Sequence, residues 1–211
     1  MTNYLPLLAA TAVLFAGACS AAETPAPKPA PARPAPAAPA GTSSSAAQFT
    51  QAPGTGSLTF SFMQAGAENH GAFRQFSTAL SYDEKNPEAG SLKVTVQTAS
   101  LDTKDKDRDD TVASAELLDV KKYPTATYVA NSFAKSAAGQ LEAVGKLTLR
   151  GVTKDLRIPL TIRTTESGAE LSGEVTLKRL DYGVGQGDWQ STEGVGNEIK
   201  LQYKVPLVRS K

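Results

Sequence analysis

"KLTLRGVTKDLRIPLTI", residues 146–162, places Leu147, Leu149, Leu156, Ile158, Leu160 and Ile162 at every second position on either side of the turn signal "RGVTKD". Successive side chains of a strand point to opposite faces, so each arm of this hairpin has one apolar and one polar face. The apolar face requires either a core or an apolar guest.

The same period recurs along the chain. It appears as Leu58, Phe60, Phe62; as Phe76, Thr78, Leu80, Tyr82; as Leu92, Val94, Val96; and as Ala126, Tyr128, Ala130. Beyond the opening hairpin it returns as Leu171, Gly173, Val175, Leu177 and as Ile199, Leu201, Tyr203, Val205. Turn signals such as "KNPEAG", "SAAGQ" and "ESGAE" separate the runs, so the pattern predicts an antiparallel meander of eight strands. One interruption, "DDTVASAELLDVKKYP", predicts a short helix capped by Asp109 or Asp110 and stopped at Tyr123-Pro124. An open sheet would leave its apolar face wet and two edges unpaired, which favours closure into a barrel. Eight strands enclose an interior that side chains fill or that holds one small ligand. Pro159 lacks a ladder donor, so its strand should bulge or lose pairing there.

The chain has 211 residues, 22 basic and 21 acidic, with a formal net charge of +1. Interleaved charges form no basic stripe, which argues against a nucleic-acid partner. His70, the only histidine, stands in the polar stretch "GAENHGAF", read as a turn. A serine-type triad or a histidine metal site therefore lacks its parts, and the single cysteine excludes a disulfide framework or a cysteine metal cluster. No catalytic residue, no metal and no cofactor are expected, and the chain is not read as an enzyme.

Residues 1–18 carry an apolar run from Leu5 to Ala18 with the length of a signal-peptide core, so export is expected. "AGAC", ending in Cys19, resembles a bacterial lipobox, which implies lipidation of Cys19, a membrane anchor and outer-membrane sorting from the periplasm. Simple cleavage near Ala18 or Ala22 is the alternative. Residues 19–48 include "TPAPKPAPARPAPAAPA", a Pro/Ala spacer that favours extended polyproline II and cannot bury enough apolar area to fold. One domain is expected over residues 49–211.

Three blocks carry a resemblance: "ASLDTKDKDRDDTVASAELLDVKKYPTATYVANSF", "GKLTLRGVTKDLRIPL" and "LKRLDYGVGQGDWQSTEGVGNEIKL". In this order they resemble the YceI-like family of bacterial envelope proteins over residues 57–207. The resemblance implies an all-β, lipocalin-like eight-stranded antiparallel barrel with one short helix, binding an isoprenoid lipid, such as a polyprenyl lipid or isoprenoid quinone, in its interior. Leu117 and Leu118 stand where the family commonly has aromatics.

The inward-facing set expected to touch such a guest is Phe60, Phe62, Phe76, Tyr128, Leu147, Leu149, Ile158, Leu160, Val175, Leu177, Leu201 and Tyr203. Arg179 continues the inward parity of its strand, so it either meets a polar head group or pairs with Asp181 or an acid of "DKDRDD". Arg108 has the same two readings. Trp189, in the glycine-rich loop "DYGVGQGDWQSTEGVGN", either caps the barrel mouth as a flap or packs locally. The competing reading is a packed envelope protein that works through protein–protein contacts without an internal ligand. A homodimer is left open.

Overall fold

Arg150 and Gly151 both take positive φ, 49° and 76°, which is the mirror-image two-residue turn whose twist matches that of an antiparallel hairpin. Leu149 therefore pairs with Val152, and β8 (Leu141–Leu149) runs back along β9 (Val152–Pro159). The computed structural model, which describes residues 46–210, extends this hairpin into a mostly antiparallel β structure with one α-helix, α1 (Lys106–Ala113).

The remaining strands are β1 (Ala47–Gln51), β2 (Ser57–Gln64), β3 (Ala67–Phe73), β4 (Phe76–Tyr82), β5 (Ser91–Gln97), β6 (Leu101–Asp102), β7 (Thr125–Lys135), β10 (Thr161–Thr164), β11 (Gly168–Lys178) and β12 (Val195–Arg209). Several are halves of one bent strand. Both β1 and β2 lie antiparallel to β12; β4 pairs with β1 while β3 pairs with β2; β5 pairs with β4 while β6 pairs with β3. The twelve strands thus trace eight chain segments in the order the alternation predicts, and β12 closes the circuit against the first of them.

Closure is less complete than expected. β9 pairs with β8 and β10 pairs with β11, but the ladder path ends at β9. At this seam the circuit passes through the chain itself at Leu160, next to Pro159, which has no N–H to donate. The Leu160 amide still reaches Leu141 O at 2.9 Å.

Two other expectations are corrected. The helix begins earlier than read, because Asp105 caps it by accepting from the Arg108 amide at 3.1 Å. Asp109 instead accepts from the Thr103 amide and hydroxyl at 2.8 and 2.7 Å, tying the helix to the end of β6. The stretch "GAENHGAF" is not a turn but mostly β3, with exposed His70 opposite Ser61; the turn lies at Ala65-Gly66. Few of its residues are apolar, so alternation gave no signal for it.

Cross-strand register stacks the inward residues in layers. Phe49, Leu80, Leu92 and Ala130 are successive partners across β1, β4, β5 and β7. With Phe133, Ala143, Leu160, Leu171, Val205 and Leu207 they form the main core cluster, a packed floor. Leader residues 1–18, Cys19 and most of the 19–48 spacer lie outside the described residues.

Candidate functional site

One register step from that floor, the partners are Thr78, Val94, Tyr128 and Leu147; one step further they are Phe76, Val96 and Ala126. Here the side chains no longer meet across the barrel. They surround a cavity of about 540 Å³, within the range of roughly 300–1,000 Å³ usual for small-molecule sites. Val94, Val96, Leu147, Leu149, Ile158, Val175 and Leu201 are only half-buried, because each faces this space rather than a neighbour.

The wall contains Phe60, Phe62, Phe76, Tyr128, Leu147, Leu149, Ile158, Val175, Leu177, Arg179, Trp189, Leu201 and Tyr203 from the sequence-derived set. Leu160 is the exception. Ile158 lies opposite Ala143, which lies opposite Phe133, so the next inward residue along the strand falls within the floor, where Leu160 is 1% exposed. Aromatic rings group on one side: Phe60 is 5.3 Å from Phe73 and 6.1 Å from Phe62, centroid to centroid. Sequence reasoning omitted several wall residues that it had already placed inward, including Leu58, Thr78 and Ile199.

Polar atoms of this wall are mostly committed to main-chain acceptors. Tyr128 donates its hydroxyl towards Ala143 O (2.9 Å) and Leu156 O (3.1 Å), and Tyr203 donates to Pro159 O at 2.7 Å. Gly173, paired with Tyr203, leaves room for that phenol, with which a Cβ would collide. Burial pushes the Tyr128 phenol far above its ordinary range; burial and then the nearby Tyr128 do the same to Tyr203.

Arg179 is buried and contacts neither Asp181 nor the "DKDRDD" acids. Its Nε donates to Gly196 O, Nη1 to Val184 O and Trp189 O, and Nη2 to Ser191 O and Val195 O, at 2.6–3.0 Å. All five guanidinium donors are thereby used, leaving none for a head group. Asp181 lies 3.9 Å from Lys154 instead. Burial lowers the Arg179 pKa below its ordinary value, and five carbonyl dipoles hold the cation in place.

This clamp fixes the glycine-rich loop. Gly185 sits against the guanidinium at φ +118°, where a Cβ would collide with Nη1. The Gly185 and Gln186 amides both donate to Glu116 O, joining the loop to the segment after α1. Trp189 consequently packs with Leu117, Leu118, Tyr182 and Val184 while also lining the cavity, so it is part of a tied roof rather than a free flap. Leu117 and Leu118 give this roof two aliphatic side chains that also line the cavity.

Besides the committed Arg179, the charged residues bordering the cavity are Asp105, which caps α1, and Asp107 and Arg108 in its first turn. Arg108 is 3.5 Å from Asp105, a partly exposed pair. The chamber thus has an apolar body, a packed floor and one charged rim.

The sequence model of the YceI-like domain matches residues 44–207. The chain is 36% identical over 153 residues to Protein YceI of Salmonella arizonae, covering 67% of this chain and 75% of that protein. It is 36% identical over 125 residues to a UPF0312 protein of Pseudomonas putida, covering 54% of this chain and 63% of that relative's length. Among solved structures, Burkholderia cenocepacia BcnA superposes with a TM-score of 0.68 at 28% identity, covering 72% of this chain and 95% of BcnA. A polyisoprenoid binding domain from Saccharophagus degradans, implicated in plant cell wall breakdown, shares the fold with a TM-score of 0.58 at 13% identity, covering 77% of this chain and 98% of that one. With a match over nearly the whole folded part, the chain belongs to the YceI-like family.

Proposed function

We propose that this protein binds an isoprenoid lipid, a polyprenyl lipid or isoprenoid quinone, inside the barrel and carries or stores it in the bacterial cell envelope. The observation that carries this reading is the cavity of about 540 Å³, whose wall is apolar on nearly every strand. Burying an alkyl chain there is favourable by about 0.8 kcal/mol per CH₂, without directional contacts, which suits a repetitive hydrocarbon. The polyisoprenoid-binding neighbour supports the same ligand class. Arg108, at the rim, is the side chain that would meet a polar head group. The non-enzymatic reading fits a wall whose tyrosines and Arg179 are committed to the main chain.

Export and anchoring through Cys19, with the residues 19–48 as spacer and the barrel beyond, belong to the same proposal. Such an anchor would hold the barrel near the membrane that contains its guest. Cys19→Ala should move the protein from the membrane to the soluble fraction.

The test of binding is extraction of protein purified from bacterial membranes with organic solvent, followed by mass spectrometry. A co-purifying polyprenyl lipid or quinone is expected. Repeated absence of one, with no uptake on reconstitution, overturns the proposal.

A further inference from the structure

Two neighbouring strands of the chamber wall share no ladder. β11 pairs with β10 only from Ala169 to Ser172, and β9 pairs with β8, so among the described residues β9 and the second half of β11 run side by side unpaired, although their Cα traces come within 8 Å. Continued across this seam, the β10–β11 register sets Ile158 against Val175 and Leu156 against Leu177, and all four residues line the cavity. The seam is therefore a stretch of chamber wall with apolar edges. Side chains join it at its two ends instead of a ladder. At the floor end the Tyr203 hydroxyl donates to Pro159 O at 2.7 Å, beside Gly173, where a Cβ would collide with both groups. At the roof end exposed Lys154 lies 3.9 Å from Asp181 and 6.0 Å from the centroid of the Tyr182 ring. The roof itself is held more firmly, by the five carbonyls around Arg179 and by the Gly185 and Gln186 amides on Glu116 O.

The geometry points to the β9–β11 seam as a lateral portal: the two strands part between Lys154 and Pro159, and the apolar chain of the guest enters and leaves sideways through the gap. This rests on the carrier reading and adds the route. Parting a laddered pair would break a row of main-chain hydrogen bonds. Parting this one breaks the exposed Lys154–Asp181 contact, of the kind that holds weakly, while the Tyr203 bond remains as the hinge. A slit edged by Leu156, Ile158, Val175 and Leu177 suits an alkyl chain, which exchanges one apolar surface for another as it passes. A charged head would cross the same slit unpaired, so it stays at the α1 rim while the tail swings in.

The experiment staples the seam. In a Cys19→Ala background, which leaves no other thiol, Arg157→Cys and Thr176→Cys place two outward thiols opposite each other across it. Both positions are exposed and neither borders the cavity. The shortest of a series of dibromide reagents that bridges both thiols then joins the strands. Lys146→Cys with Asp155→Cys, stapled across the existing β8–β9 ladder, is the control. Uptake and release of farnesol are followed with and without each staple, intact mass establishing the link and the melting temperature the fold. Stapling the seam should slow both rates about tenfold or more and leave the equilibrium affinity unchanged, because it bars the path and not the bound state. Stapling β8 to β9 should change neither. Unslowed exchange through a stapled seam overturns the portal and leaves the carrier reading standing, and so does equal slowing by the control staple. Failure of the unstapled protein to take up farnesol overturns both readings.

Discussion

Floor and chamber are built from the same strands with the same alternation, yet one is filled and the other is hollow. At the floor, Phe49, Phe133, Leu80, Leu160 and Leu171 are each 1% exposed. Beside it, Leu147, Ile158 and Leu201 remain half-buried around open space. The difference lies in what the inward side chains meet. Phe49 and Phe133 pack in one cluster with Leu80, Leu160 and the small Ala130 and Ala143. Where the floor gives way to the chamber, the large aromatics Tyr128 and Tyr203 are tied to the wall through Ala143, Leu156 and Pro159. Hydrogen bonds to the main chain thus fix the two phenols at the boundary between floor and chamber.

This contrast sets the largest expected effect. Leu160→Ala and Phe133→Ala should cost about 2–5 and about 3–5 kcal/mol respectively, because the close-packed floor cannot collapse around a new hole. Leu201→Ala removes the same atoms as Leu160→Ala from a side chain that already faces space, and should cost less than half as much in ligand-free protein. Its effect should appear in ligand retention. Urea unfolding of the variants measures the first, and extraction of bound lipid the second. Equal losses at Leu160 and Leu201 would mean that floor and chamber are packed alike.

The clamp at the chamber's roof comes next. Replacing Arg179 with Met should destabilise ligand-free protein by about 3 kcal/mol, since buried carbonyls lose charge-assisted donors that nothing replaces. Because its donors are all committed, the relative affinities for charged and neutral prenyl probes should not change. A variant that melts normally but loses selectivity for a phosphate head would reverse the assignment and make Arg179 a ligand contact.

A smaller effect follows from the phenols at the boundary. Tyr128 and Tyr203 have folded pKa values raised by burial above the unfolded value near 10. A phenol raised in this way contributes stability that is fully present below about pH 10 and is lost as pH rises above it, because the unfolded chain ionises first. Each should add about 1.4 kcal/mol of loss per pH unit in that range. Denaturant midpoints from about pH 9 to about pH 11 should fall less steeply in the Tyr128→Phe, Tyr203→Phe double variant. Identical slopes would show that these phenols ionise freely in the folded state.

Much of this arrangement was legible in the sequence, for reasons that also explain the failures. Period-two patterning depends only on backbone geometry, so the eight segments, the inward positions and the break at Pro159 could be read directly. Depth within the barrel could not: Leu160 shares its parity with Ile158, and only the pairing of Ile158 with Ala143 and Phe133 shows that the next step enters the floor. The partners of Arg179 were hidden for a related reason. Main-chain carbonyls leave no trace in residue identity, and a search for a pairing acid finds Asp181, which lies beside Lys154. The polar strand β3 offered no apolar rhythm to detect, whereas Thr78 stood in plain view as a polar residue on an apolar face.

The smallest effect belongs to the rim, the part of the chamber furthest from the floor's packing. Arg108 borders the cavity, but its pair with Asp105 is long and partly exposed, the kind that contributes about 0–1 kcal/mol to stability. Arg108→Gln should therefore leave the melting temperature within about a degree of wild type and weaken binding of farnesyl phosphate only severalfold, because water and ions screen a rim charge. The loss should shrink further as salt is raised. Binding of farnesol should not change, since it carries no charge for Arg108 to meet. A large loss of farnesol affinity in Arg108→Gln, insensitive to salt, would show that Arg108 holds the guest by packing or a neutral hydrogen bond rather than by its charge. A loss confined to the phosphate would place a charged head at the rim beside Arg108 and leave the hydrocarbon in the apolar body of the chamber.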